Sequence, residues 1–274
     1  MKRLSELFNF LSSDIKNITK LRIIFGYYIL SKFGSIKILG MRIRYNSGLR
    51  NHSLVILKEI FFNQVYSFTK NTDLILKSSP GVIIDIGANI GISVAYFKNK
   101  YPNTKLIAIE ASPINFLLLK KNIEENNFQN IEAINSFLAN ENSLIKFYHN
   151  IYKPGGSFGE GFKPKNSNKF EEFDVNTSKL TDLIHGYKNI VIKIDVEGAE
   201  YQILKDLAKS NNISQVIEII VEISTQSQKH YNDLNEVINN FYNLRFEPRM
   251  ISDYTTNFLG NKIKQGHLQL ILIR

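Results

Sequence analysis

The chain has no cysteine, which excludes disulfides, thiolate metal sites and cysteine nucleophiles together. It also lacks a long apolar run. The nearest approach, Leu21 to Leu30, falls well short of the ~20 residues a spanning helix needs and is interrupted by Arg22 and Gly26. The opening Met-Lys-Arg reaches Glu6, Asn9 and Asp14 before any apolar stretch, a poor secretory signal. A cytoplasmic location is therefore expected. No repeat at a solenoid period and no low-complexity tract is present. Positive charge is plentiful, with a formal net charge of +9. It comes without a basic run interleaved with aromatics and without a nucleic-acid motif, so a dispersed, solvated basic surface is expected and no nucleic-acid partner.

What remains is ordinary for a globular protein: 274 residues, 43% hydrophobic and 22% charged. That length buries one large core, or one core with a small accessory unit. The first ~80 residues read differently from the rest, which divides the chain into an accessory segment, 1–79, and a main domain, 80–274. Leu4, Leu7, Phe8 and Leu11 have helical spacing, and residues 4 to 33 are expected to be helical. Basic residues Lys2, Arg3, Lys16, Lys20 and Arg22 beside Phe8, Phe10 and Ile23 to Phe25 give that helix an amphipathic, peripheral-membrane reading. The plainer reading is a helix packed on the main domain. Strand-like pieces follow at Ile36 to Leu39 and Met41 to Tyr45 with Gly40 as the bend, then a helix from Ser53 to Phe61.

From Pro80 onward, strand and helix patterns alternate. Strands are expected at Val82 to Ile86, Lys105 to Ile109, Ile131 to Ile134, Ile190 to Val196 and Val216 to Ile223. Helices are expected over 91 to 100, from Pro113 to about Asn126 with Ser112 as N-cap, from Ala199 to Ser210, and around Leu234 to Tyr242. This is the pattern of βαβ units and a parallel α/β sheet. Leu268 to Ile273 fits a closing antiparallel strand.

The chemistry concentrates after the first strand, in Asp85-Ile-Gly87-Ala88-Asn89-Ile-Gly91. A ligand of an open α/β sheet sits beyond the carboxyl ends of its strands. There Gly87 allows a sharp turn without bulk, and Gly91 lets the helix begin close to the ligand, its free N–H groups facing it. Glu110 ends the next strand, where a carboxylate can accept two hydrogen bonds from a ribose diol. Ser136, just past the third strand, is counted with Asp85, Gly87, Ala88, Asn89, Gly91 and Glu110 as cofactor-binding. A dinucleotide site favours G-x-G-x-x-G, whereas the spacing here is G-x-x-x-G behind an aspartate. An acid at that turn suits a cationic sulfonium and repels a pyrophosphate, which favours S-adenosylmethionine.

Taken in order, Val82-Ile-Ile-Asp-Ile-Gly-Ala-Asn-Ile-Gly91, Glu110-Ala-Ser-Pro113, Leu119-Lys-Lys-Asn122, Lys193-Ile-Asp-Val-Glu-Gly-Ala-Glu200 and Val221-Glu-Ile-Ser224 resemble the FkbM-type methyltransferase family. The resemblance implies a Rossmann-like class I methyltransferase sheet, mostly parallel with an antiparallel C-terminal strand. It further implies S-adenosylmethionine as methyl donor and a hydroxyl oxygen of a sugar, glycan or related small molecule as acceptor. One departure stands out. Where the family often has Glu-x-His, this chain has Glu222-Ile-Ser224, so the resemblance does not assign the general base.

Period-2 alternation after Val191 puts Lys193, Asp195 and Glu197 on one side of their strand, at the crevice where acceptor and sulfonium meet. These three are the expected catalytic residues, and structural ion pairs are the alternative. Hard carboxylates Asp195, Glu197 and Glu222 are chemically compatible with Mg2+, yet paired carboxylates at strand ends are common without an ion, and no metal is expected. His230 and His267 are secondary candidates for a base. Lys153-Pro-Gly-Gly-Ser-Phe-Gly-Glu-Gly161 has the composition of a lid, with Ser157 near the ligands. A nicotinamide-dependent oxidoreductase is the rival enzyme reading, weakened by the glycine spacing and by the lack of a Tyr-x-x-x-Lys pair. A membrane-surface scaffolding protein is the rival outside enzymes. No residue pattern specifies an oligomeric state.

Overall fold

The computed structural model describes residues 34–45, 50–150, 170–196, 198–224, 228–251, 254–256, 262–264 and 267–274. The helix expected over residues 4 to 33, the glycine-rich stretch with Ser157, and Glu197 lie outside the described residues. Among the described residues no helix is long and apolar enough to cross a membrane.

A hairpin of β1 (Ser35–Ile38) and β2 (Met41–Arg44) turns at Leu39 and Gly40, as the sequence predicts. Two helices follow, α1 (Arg50–Phe61) and α2 (Lys70–Ser78). The second is absent from the sequence reading, although Thr69 caps it by accepting from the Thr72 N–H. The alternating region then runs β3 (Val82–Ile86), α3 (Ile92–Lys100), β4 (Lys105–Glu110), α4 (Pro113–Glu125) and β5 (Ile131–Asn135). Ser112 caps α4 by accepting from the Asn115 N–H, with proline in the first turn.

Next come β6 (Phe137–Leu138), β7 (Leu144–Asn150) and β8 (Phe170–Ser178), which form a separate three-stranded sheet, and a single turn, α5 (Leu180–Leu183). The chain then supplies β9 (Ile190–Ile194), α6 (Glu200–Ala208), β10 (Val216–Ser224), α7 (Gln228–Asn243) and β11 (Glu247–Ile251). The pair β12 (Tyr254–Thr256) and β13 (Lys262–Lys264) precedes the last strand, β14 (His267–Ile273).

Seven strands make the central sheet in the order β11-β14-β10-β9-β3-β4-β5. Strands β5, β4, β3, β9 and β10 are parallel, and β14 inserts antiparallel between β10 and β11. The expected closing antiparallel strand is therefore present, but inside the edge. Strand β11 takes the edge, and the sequence reading does not contain it. Its residues, Glu-Pro-Arg-Met-Ile, carry a proline and two charges, a composition that suits an edge and hides a strand.

Central strands β3 and β9 are buried at every residue, which is why they read as solid apolar runs instead of alternating ones. Successive side chains go to opposite faces. Ile83, Leu106, Val191 and Ile220 join Val94, Phe97, Leu57 and the hairpin residues Ile36, Ile38 and Ile43 on one side. Ile84, Ile107, Ile192 and Ile219 join Leu204, Val237 and Phe241 on the other.

The hairpin is tied to α4 by two asparagines that imitate a neighbouring strand. Asn126 accepts from the Arg42 N–H and donates to its carbonyl, both at 2.7 Å. Asn122 does the same to Arg44, at 2.7 and 3.1 Å, and also donates to Ile90 O at 2.7 Å. The hairpin is thus linked through one buried amide to the end of the glycine turn.

Candidate active site

The site forms where β3, β4 and β9 end. After Ile86 the chain turns back, and the N–H groups of Gly87 and Ala88 both donate to Ile109 O, at 2.9 and 3.0 Å. The turn needs left-handed backbone at Gly87 (φ 74°), Asn89 (φ 50°) and Gly91 (φ 89°). Asparagine adopts that region more readily than most side chains, and here its Oδ1 accepts from the Ile90 N–H at 2.8 Å. At Gly91, the N-cap of α3, a Cβ would fall 2.8 Å from Leu119 Cδ1. That glycine serves helix-to-helix packing as well as the approach to a ligand.

Glu110 closes β4 and folds back over the turn. Its Oε2 accepts from the Asn89 N–H at 2.7 Å and its Oε1 from the Ser112 N–H at 2.9 Å. Burial raises the Glu110 carboxyl above the usual carboxylate range, while those two N–H groups and Lys193 pull it the other way. Each oxygen has one backbone donor, and the Asn115 side chain adds a further favourable interaction with the carboxylate. Ala88 is buried. Ser136 is buried too, its hydroxyl within reach of Asn176 O and Ser178 Oγ at 2.9 and 2.8 Å; it links β5 to the small sheet.

Asp85 and Lys193 lie inside the protein, and the sequence reading puts both at the ligand. The Asp85 side chain is 0% exposed and that of Lys193 1%. Asp85 Oδ2 accepts from Ser93 Oγ at 2.5 Å. Its Oδ1 is 2.9 Å from Lys193 Nζ, an ion pair off the line of a hydrogen bond. The ammonium also donates to Gly87 O at 2.8 Å and Ile86 O at 3.2 Å. Burial by itself lowers the Lys193 pKa, but the charges of Asp85 and Asp195 outweigh it and the net shift is upward. The aspartate charge read from the sequence as facing a sulfonium is met by an internal lysine, and that lysine holds the glycine turn.

Strand β9 ends at Ile194, two residues earlier than the pattern suggests; the Asp195 N–H makes one further bond to Ile86 O, and Gly198 beyond has φ 92°. Asp195 is the open group here, its side chain 41% exposed. Its Oδ2 accepts from Tyr66 Oη at 2.6 Å and lies 3.7 Å from Lys193 Nζ. Expected partner Glu197 lies outside the described residues. Among the described residues no group of three His, Asp or Glu could hold a metal ion.

Two further residues enter from segments without local signals. Tyr66 reaches Asp195 across 129 positions. Burial, then the charges of Asp195 and Glu222, hold its phenol well above the ordinary value. His149, on β7, is buried with Nδ1 2.8 Å from the hydroxyl of Ser112, the residue whose N–H supports Glu110. Burial lowers its pKa, partly offset by Glu171. No motif marks either position; only the chain's path brings them in. The histidines singled out from the sequence are elsewhere: His230 stacks on Tyr201 at 5.8 Å, and His267 lies on β14.

A sheet with one reversed strand beside its edge, a glycine turn after the first central strand and an acid ending the next define a class I methyltransferase fold. The family model described as "Methyltransferase FkbM domain" matches residues 85–248, and the chain belongs to that family. It is similar to "Methyltransferase 1" of Beauveria bassiana, 28% identical over 170 residues, covering 56% of this chain and 66% of the relative. It is also similar to "Methyltransferase sdnD" of Sordaria araneosa, 26% identical over 193 residues, covering 60% of this chain and 72% of the relative. The match thus spans about two thirds of the length of these relatives. Among solved structures, "Human methyltransferase 10 domain containing protein" superposes on 93% of this chain and 96% of its own with 14% identity and a TM-score of 0.41. Family membership rests on the sequence match.

Proposed function

We propose that the protein transfers a methyl group from S-adenosylmethionine to a hydroxyl oxygen of a sugar or related small molecule. When bound, the cofactor supplies a methyl carbon on a positive sulfur, which leaves as a neutral thioether. The observation that carries this reading is the pose of Glu110. A buried carboxylate at the end of β4, anchored by the Asn89 and Ser112 N–H groups with the Asn115 side chain beside it, stands where the two hydroxyls of a ribose would donate. The glycine turn beneath it leaves room for the nucleoside, and Ala88 with Asn89 would line that side. Asp85 and Lys193 act behind the turn and fix its shape. Ser136 would serve from behind β5.

Asp195 would take the acceptor proton. It is the half-exposed carboxylate beside the turn, where the acceptor must approach. In-line methyl transfer asks chiefly for alignment, which can supply ~7–11 kcal/mol of barrier reduction. A positioned base adds about 10²–10⁴-fold. The segment before residue 80 contributes Tyr66 to this side, which supports a role for that segment in shaping the acceptor site.

The test incubates the protein with methyl-labelled S-adenosylmethionine and panels of methyl glycosides, phenols, amines and carboxylic acids. Label transferred to a glycoside, lost in Asp195→Asn, supports the reading. Transfer confined to amines or carboxylic acids contradicts it.

A further inference from the structure

The family match begins at residue 85, so it leaves Tyr66 outside, yet Tyr66 makes the shortest hydrogen bond to Asp195. We propose that Tyr66 is a positioning residue for methyl transfer: its hydroxyl locks the Asp195 carboxylate so that Oδ1 is the oxygen presented to the acceptor. This rests on the reading of Asp195 as the group that takes the acceptor proton.

Asp195 needs such a lock. It stands one residue past the end of β9, and its side chain is 41% exposed. A short side chain so placed samples several rotamers unless something holds it. Tyr66 supplies the hold from one side only. The phenol donates to Oδ2 at 2.6 Å, and the Lys193 ammonium lies 3.7 Å from that same oxygen. Among the described residues nothing donates to Oδ1. Among the described residues, then, one oxygen is held by the phenol with the ammonium beside it, and the other accepts from none of them.

The hold is itself rigid. Tyr66 is 6% exposed, and Lys193 Nζ sits over its ring, 5.2 Å from the centroid. The chain on either side of the tyrosine is clamped to the sheet. Gln269 of β14 donates to Val65 O. Thr69 donates to the buried Glu218 of β10 through its N–H, at 3.0 and 3.1 Å, and through its hydroxyl, at 2.7 Å. A phenol kept protonated by burial and by neighbouring carboxylates donates in one direction, toward Asp195. The ring fills core; the hydroxyl has no partner among the described residues except the carboxylate.

The experiment reads Asp195 directly in the full-length protein. In protein labelled with 13C- and 15N-aspartate, three-bond couplings report the χ1 rotamer of Asp195, assigned by its loss in Asp195→Asn. The wild type is expected to show one rotamer, and Tyr66→Phe, which keeps the ring, averaged couplings with an unchanged melting temperature. An already averaged wild type, or a single rotamer persisting in Tyr66→Phe, would overturn the proposal. The reciprocal reading comes from 13C-tyrosine: the Tyr66 Cζ resonance is expected to move in Asp195→Asn, and an unmoved resonance also overturns it.

S-adenosylhomocysteine, titrated into both proteins, separates this proposal from the function it rests on. Affinities equal within about twofold are expected, since Tyr66 acts through Asp195 and not Glu110. A tenfold loss confined to Tyr66→Phe would place its action at the cofactor and overturn the positioning role. Binding absent from both proteins would remove the methyltransferase reading, whatever the rotamer result.

Discussion

The turn after the first central strand meets the backbone at the exit of the fourth parallel strand: a Cβ added to Gly87 would lie 1.9 Å from the carbonyl oxygen of Asp195. The relationship joins the cofactor side of the site to the acceptor side. No side chain can be inserted there without separating the two.

Gly87→Ala is expected to destabilise the fold and abolish ligand binding together. The left-handed backbone alone costs an L-residue ~1–2 kcal/mol, and the clash with Asp195 adds to it. Urea denaturation and S-adenosylhomocysteine titration check this. A variant with the stability and affinity of the wild type would show that the turn and Asp195 are free to part.

Lys193→Met leaves Asp85 as an uncompensated buried charge, and a loss of about 3–5 kcal/mol is expected. Asp85→Asn, which leaves the ammonium with Gly87 O and Ile86 O, should also destabilise. The double variant Asp85→Asn/Lys193→Met should be more stable than the Lys193→Met single. Additive losses in chemical denaturation would mean the two groups do not compensate each other.

How far the sequence reveals this site depends on whether a residue's partners are near it in the chain. Gly87, Gly91 and Glu110 are legible because turn, helix start and strand end recur in a fixed local order. The residues of β3 and β9 are legible because burial on both faces leaves them almost entirely apolar. Strands β7 and β8 are not, since they pair with each other across a glycine-rich stretch and carry Glu171, Glu172 and Asp174. The partner of Asp85 is hidden for a related reason. A strand pattern shows which face a side chain takes, but not that Lys193, 108 residues later, waits on that face. Tyr66 has no local pattern at all.

Stability should show an acid limb that belongs to His149. Burial disfavours its protonated form, so the folded value lies below the unfolded value of 6.5. Above that value both states are neutral and the full stability is present. As pH falls below it, the unfolded chain takes up a proton that the folded protein refuses, so stability drops until the folded value is passed. The slope from this group cannot exceed about 1.4 kcal/mol per pH unit. His149→Asn should remove that limb from the pH dependence of urea midpoints measured between pH 5 and 8; an unchanged limb would assign it to other groups.

Asn122→Ala removes the amide that joins Arg44 to Ile90 O. Leaving those backbone groups unpaired should cost about 1–3 kcal/mol. Amide hydrogen exchange is expected to quicken at Arg44 while the N–H groups of the central strands keep their protection. Uniform quickening throughout the sheet would show that the hairpin and the sheet open as one unit.

The central claim is that Glu110 and the glycine turn hold the nucleoside of S-adenosylmethionine. Calorimetric titration of the full-length protein with S-adenosylhomocysteine tests it most directly, with NAD as comparator and Glu110→Gln as control. Saturable binding of S-adenosylhomocysteine, at least tenfold weaker in Glu110→Gln, with no binding of NAD, is the predicted result. Tighter binding of NAD, or affinity for S-adenosylhomocysteine indifferent to Glu110, would contradict it.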